Sequence, residues 1–185
     1  IVDAFDDHDV SFVSITQQFN TTTSMGRLTL NMLLSFAQFE REVTGERIRD
    51  KIAASKKKGM WMGGHIPLGY QPDGRTLVIN EIEAETVRTV FRLYLELGTV
   101  SKVKHEADCM GLVTKLRIGK DGARSGAKPL SRGYIYKLLG NPLYIGRIQH
   151  KGDNHAGLHP AIIDAKTWAA VQAQLANNGP IRGSD

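Results

Sequence analysis

The feature that most constrains this chain is one uninterrupted helical pattern that changes character halfway along. Residues 25–39 are apolar on nearly every side, with Met25, Leu28, Leu30, Met32, Leu33, Leu34, Phe36, Ala37 and Phe39. Residues 40–58 are charged and keep only a thin stripe of Val43, Ile48 and Ile52, and no proline interrupts either half. A helix over both halves would run roughly 50 Å, longer than an ordinary globular helix. A helix that is apolar all round must be buried, whereas a polar one must be solvated or lie on a polar partner. The first half is therefore expected to form core plus subunit interface. The second half, rich in Arg and Lys, is expected to leave the body toward nucleic acid. Gly45 costs about 1 kcal/mol there relative to Ala. It is either a flex point beside DNA or a tolerated surface glycine.

A chain of 185 residues has room for one domain or two small ones with a real core. No apolar run approaches a membrane span and no signal-peptide pattern opens the chain. The single cysteine, Cys109, excludes an intrachain disulfide framework and fits a reducing cytoplasm, the expected location. The opening Ile1-Val2-Asp3-Ala4-Phe5 reads as the middle of a helix, and a start without Met reads as a fragment. The net charge of +5 is unevenly spread. Asp3, Asp6, Asp7 and Asp9 precede the first cation, Arg27. Between residues 115 and 151 nine Lys and Arg face one Asp, interleaved with Tyr134, Tyr136 and Tyr144. Such clustering is the electrostatic footprint of a nucleic-acid face.

Along the chain, residues 10–15 read as a strand and 17–24 as an exposed polar loop, with Thr23 or Ser24 capping the long helix. Lys56, Lys57 and Lys58 before Gly59 suit a helix C-terminus, which would select those cations without any DNA. The glycine-rich stretch after them reads as a linker. Beyond it come a turn at Pro72-Asp73-Gly74, a strand at 76–79 and a helix from Glu81 to about Glu96. The apolar face of that helix is Ile82, Val87, Val90, Phe91, Tyr94 and Leu95. Thr99 or Ser101 starts another helix. Residues 112–128 can hold a loose basic hairpin, and Ser131 caps a short helix to Leu139. Residues 144–149 read as a strand, and Asp164 caps a last helix through about Leu175.

Several runs resemble a known family. Phe12-Val13-Ser14-Ile15, Ser24-Met25-Gly26-Arg27, Phe36-Ala37-Gln38-Phe39-Glu40-Arg41-Glu42 and Gly45-Glu46-Arg47 resemble the end of a serine recombinase catalytic domain of the resolvase and invertase type. Pro67-Leu68-Gly69-Tyr70, Asn141-Pro142-Leu143-Tyr144-Ile145-Gly146 and His159-Pro160-Ala161-Ile162-Ile163-Asp164 resemble the "recombinase" domain of large serine recombinases, the phage integrase and transposase branch. The resemblance implies a mixed α/β, mostly α fold. A remnant strand and long helix of a resolvase-like α/β domain would be followed by a small α+β DNA-binding domain with helix-turn-helix-like helices. The expected domains are 1–58, with the long helix at about 24–58, a linker at 59–66, the DNA-binding domain at 67–177 and a disordered tail at 178–185.

The family joins DNA through a serine that attacks a phosphodiester, with arginines around the developing phosphorane charge. No Tyr-x-Arg-x-Ser segment occurs in this chain, so no catalytic residue is assigned and the chain alone is expected to be inactive. Arg41 and Arg47 match positions near the DNA backbone, and Glu46 matches one near the subunit interface. Both Glu46 and Arg47 also fit i,i+4 ion pairing on an exposed helix. Lys57, Lys58 and the glycines after them resemble a minor-groove arm. Helix 131–139 can enter the major groove, which makes Arg132, Tyr134 and Lys137 candidate readers, although Tyr134 also falls on the inner face. Arg124, Lys128, Arg147 and Lys151 are expected to contact phosphates.

Leu28, Met32, Phe36 and Phe39 are the expected dimerisation stripe. The expected partners are double-stranded DNA and a second copy, with a tetramer in the full-length synaptic complex and no membrane. His150, Asp153, His155 and His159 lie close in sequence, but their spacing matches no zinc pattern, so no metal or cofactor is expected. Two other readings stay open: a non-enzymatic helix-turn-helix regulator with a coiled-coil arm, and an interaction module that oligomerises through residues 25–39.

Overall fold

The computed structural model describes residues 8, 13–14, 19–20, 23–119 and 121–178. The expected helix end at 1–8, most of the expected strand at 10–15 and the tail after Asn178 lie outside the described residues, apart from His8 and the pair Val13-Ser14. The chain divides into two units, residues 1–51 and 52–185.

In the first unit β1 (Val13–Ser14) pairs antiparallel with β2 (Phe19–Asn20). The second strand falls where the sequence reads as a polar loop. Helix α1 (Ser24–Lys57) then runs for 34 residues. Thr23 starts it, its hydroxyl accepting from the Gly26 amide at 3.0 Å. Only Gly26 is buried along the whole helix. Leu28 is 54% exposed, Met32 54%, Phe36 62% and Phe39 60%. The apolar half of α1 is thus an uncovered surface, and the expected core role is not seen within this single chain.

The second unit holds the core. β3 (Tyr70–Asp73) and β4 (Thr76–Ile79) form a hairpin in the register Tyr70↔Ile79 to Asp73↔Thr76, so its turn is Gly74-Arg75 and Pro72 lies within the strand. α2 (Glu81–Leu97) follows, capped by Asn80, whose side chain accepts from Glu83 N, and closed by Gly98 at φ +80°. Ala84, Val87, Phe91 and Tyr94 recur at helical spacing and are wholly buried. Two residues expected on this face are not: Ile82 is 88% exposed and Leu95 37%. Ile82 lies on the solvent side of the first turn, three residues from the exposed Glu85, while Ala84 on the other side is already buried. α3 (Val100–Cys109) is capped by Thr99. α4 (Arg132–Leu139) is capped by Ser131, and α5 (Ala165–Asn177) by Asp164. α4 packs on α2 and α3, while α5 packs on α2.

Residues 144–149 do not form one strand. Pro142–Ile145 is a 3-10 turn that Asn141 caps, and β7 (Arg147–His150) begins only after Gly146 at φ +71°. Proline at the first position presets that turn and removes a donor that a strand would need. β7 pairs with β8 (Asp153–Ala156) around the turn Lys151-Gly152, where both residues have positive φ. This is the backbone of a two-residue hairpin whose twist matches its strands.

Three separated motifs meet in the core. The Tyr70 hydroxyl shares its proton between Leu143 O at 3.0 Å and Pro160 O at 2.8 Å. The Tyr70 ring stacks on Tyr144 with centroids 6.1 Å apart and meets the His159 edge at 5.5 Å. Gly69 lies at φ +89°, and a Cβ there would stand 2.7 Å from Ile162 Cδ1. Burial raises the Tyr70 and Tyr144 hydroxyl pKa values above the ordinary tyrosine range and lowers that of His159. These residues build the domain, and they are not available to a partner.

Candidate nucleic-acid interface

The basic residues stand on three kinds of local structure. Arg132 and Lys137 occupy the exposed side of α4, at its first position and in its last turn. Ile135, Leu138 and Leu139 face the core, which leaves the other side of the helix to solvent. Tyr134 is half-buried and packs against the core, and its burial raises the hydroxyl's pKa. Of the three tyrosines interleaved with the basic run, Tyr144 is buried and Tyr136 is 53% exposed. Tyr136 is the one whose ring is open to a partner, and sequence reasoning did not single it out. Its place on α4, one residue before Lys137 and across the helix from Leu138, was the available signal.

α3 and α4 pack together, but 22 residues separate them (110–131). A helix-turn-helix uses a turn of about three or four residues, so this pair departs from that form. The long connection carries the basic hairpin expected from the sequence, β5 (Arg117–Ile118) against β6 (Arg124–Ser125). Arg124 is exposed opposite Ile118, which is itself 66% exposed. Lys128 is exposed at the stem, where its amide donates to Thr114 Oγ1 at 3.2 Å. Arg147 is exposed at the start of β7, and Lys151 is exposed at the tip of the β7–β8 turn.

Arg41 and Arg47 are exposed on α1, and Lys57 and Lys58 are exposed at its end. A Cβ at Gly45 would meet only the Arg49 side chain at 3.7 Å. The segment expected as a linker is partly docked. Gly59 is buried, its carbonyl accepts from Leu158 N at 2.9 Å, and Trp61 N donates to Arg75 O at 2.7 Å. Trp61 packs against the core, while Gly63 and Gly64 are exposed.

The histidine-rich run does not converge. His159 is buried with Nε2 2.8 Å from Leu143 O, and His150 Nδ1 lies 3.5 Å from the Lys56 ammonium. A fixed cation beside His150 opposes binding of a second. Among the described residues there is no group of three or more His, Cys, Asp and Glu arranged to hold a metal ion, and no helix is long and apolar enough to cross a membrane.

The surface defined by this fold is a helix and two hairpins that carry cations on a small α+β domain. Residues 81–178 match the family described as Recombinase, and residues 1–61 match the Resolvase, N terminal domain. The chain belongs to the Recombinase family, in the large serine recombinase branch. The DNA-invertase of Enterobacteria phage P7 is 30% identical over 95 residues, 49% of this chain and 50% of that protein. The Transposon Tn917 resolvase of Enterococcus faecalis is 34% identical over 55 residues, 30% of each chain. A solved structure described as an LSR–DNA complex superposes with a TM-score of 0.58 at 20% identity, covering 71% of this chain and 38% of that one. A structure concerned with the sequence requirements of the Listeria innocua prophage attP site gives a TM-score of 0.58 at 20% identity, covering 70% and 51%. These two similarities establish a shared fold. The chain spans half or less of the length of the curated relatives it matches.

Proposed function

We propose that this chain is the DNA-binding and dimerising part of a cytoplasmic site-specific serine recombinase. Such an enzyme attacks a DNA phosphodiester with a serine hydroxyl, holds the strand as a phosphoserine ester and returns it to a free DNA hydroxyl. No catalytic residue is assigned to this chain. Its role is to hold the site: residues 67–177 bind duplex DNA, residues 59–66 lead into them, and residues 1–58 carry the arm and the self-association face. The observation that carries the reading is the exposed side of α4, where Arg132 and Lys137 stand clear of a core built by Ile135, Leu138 and Leu139.

Arg132, Tyr134 and Lys137 are the proposed base readers. Arg124, Lys128, Arg147 and Lys151 are the proposed phosphate contacts, joined by Arg41, Arg47, Lys57 and Lys58 along the arm. Leu28, Met32, Phe36 and Phe39 form the proposed self-association stripe.

The test is a binding series on the cognate and a mixed-sequence duplex across salt concentrations. Arg124→Ala and Lys128→Ala should weaken both complexes alike and reduce the salt slope by about 1 each. Arg132→Ala or Lys137→Ala should cost about 1–3 kcal/mol on the cognate duplex per lost base contact and less on the mixed one. Equal losses on both duplexes would reject base reading by α4. Binding that ignores salt would reject the whole reading.

A further inference from the structure

One cation of the basic run is not on the surface. Lys115 donates from Nζ to Glu83 Oε2 at 2.6 Å and to Tyr70 O at 2.8 Å. Its side chain is 12% exposed and that of Glu83 21%. The same Glu83 oxygen accepts from the Gly69 amide at 3.1 Å. The ammonium is therefore committed to the first turn of α2 and to the start of β3, inside the packed domain. It is not available to a phosphate.

The hairpin beyond Lys115 has no core of its own. Residues 116–119 and 121–125 are all exposed. An isolated two-stranded hairpin is marginal in water. The stem closes through Thr114 N to Lys128 O at 2.8 Å, Ala127 N to Thr114 O at 3.1 Å and the bridge Val113↔Pro129. Gly126 at φ +90° and Ala127 at φ +48° bend the returning strand so tightly that a Cβ on Gly126 would overlap Lys115 O. Lys115 is the last side chain on the outgoing strand that reaches into the domain. Beyond it stand Arg117 and Arg124. The charges of Arg117 and Glu83 both act on the Tyr134 hydroxyl, which places the hairpin, the anchor and α4 in one electrostatic neighbourhood.

We propose that Lys115 is a positioning residue: its ion pair with Glu83 tethers the 117–125 hairpin to α2 and so holds Arg124 where it can meet a phosphate beside α4. This inference rests on the DNA-binding reading above. It predicts that the contribution of Arg124 depends on a residue that itself touches no DNA.

The test uses the whole chain and a double variant, Lys115→Met/Glu83→Gln. Neutralising both partners of a shielded pair avoids leaving one charge uncompensated, so the domain should stay folded. Binding to a mixed-sequence duplex is measured against salt, because phosphate contacts are independent of sequence. In the unsubstituted chain Arg124→Ala should lower the salt slope by about 1. In the double-variant background the same change should do nothing, while Arg147→Ala should lose as much as before. Amide exchange, read without DNA, should accelerate at Gly119, whose N–H bonds Ala123 O, and stay unchanged at Val90 and Ile135 in the core. An Arg124→Ala loss of full size in both backgrounds overturns the proposal, as does unchanged exchange at Gly119. So does loss of the Arg147 effect as well, which would show a disturbed domain. If Arg124→Ala has no effect in the unsubstituted chain, the hairpin's DNA role fails. That outcome is distinguishable from failure of the tether, which the exchange data read alone.

Discussion

Gly59→Ala should loosen the junction between the end of α1 and the body of the second unit, and its cost can be worked from the backbone. Gly59 lies at φ +75°, a conformation that costs an L-residue about 1–2 kcal/mol. An added Cβ would overlap Ala156 O and stand 3.0 Å from Leu158 N and 3.1 Å from Gly157 C. All three are main-chain atoms, so no side chain can rotate away. The 2.9 Å bond from Leu158 N to Gly59 O must then stretch or break, which adds about 1 kcal/mol. The expected total is about 2–3 kcal/mol, spent on local undocking rather than global unfolding. At about 1.4 kcal/mol per decade, the Leu158 amide should exchange about 30- to 150-fold faster. The control is Gly63→Ala, at φ +89° with nothing within 4 Å of the new Cβ. It bears the backbone cost without the collision and should leave Leu158 exchange unchanged. Equal protection of Leu158 in the two variants would refute the argument that the collision fixes this junction.

Tyr70→Phe should destabilise the second unit by about 1–2 kcal/mol in a denaturant titration, because Pro160 O loses its hydroxyl donor, while Leu143 O keeps His159 and the Gly146 amide. Burial lowers the His159 pKa below its ordinary value, so the unfolded chain takes up the proton first. Stability is then fully present above about pH 6.5 and falls as the pH drops below that value. Replacing His159 by Gln should flatten this acid limb, and an unchanged limb would contradict the assignment. Self-association through α1 should appear in sedimentation at tens of micromolar, where an affinity of ~1 μM (about −8 kcal/mol) shows. Met32→Lys with Phe36→Lys should give a monomer whose second unit keeps its melting curve. A monomeric unsubstituted chain would refute the stripe Leu28, Met32, Phe36 and Phe39 as an interface.

The sequence by itself determined the local elements whose causes are local. Ser131 and Asp164 could be read as caps, and Thr99 as one of two candidates with Ser101, because a short polar side chain before an apolar run satisfies free helix amides. α1 was legible because no proline interrupts residues 24–57 and a helix closes its hydrogen bonds along its own chain. A loose hairpin somewhere within residues 112–128 was legible from glycines and charge, but its strands at 117–118 and 124–125 were not. β8 was not, because Asp153-Asn154-His155-Ala156 has neither apolar alternation nor β-branched residues. It is a strand because the positive-φ turn Lys151-Gly152 returns the chain onto β7.

The tertiary structure alone decided which cations are free. Lys115 and Arg124 look alike in the sequence, yet one is paired inside the domain and the other is exposed. It also decided that Tyr144 belongs to the core while Tyr136 stands open, although both lie in the same basic run. The physical reason is that helical and strand periodicity are properties of neighbours along the chain. Whether a charge is neutralised depends instead on which carboxylate packing brings within reach, and Glu83 lies 32 positions away from Lys115.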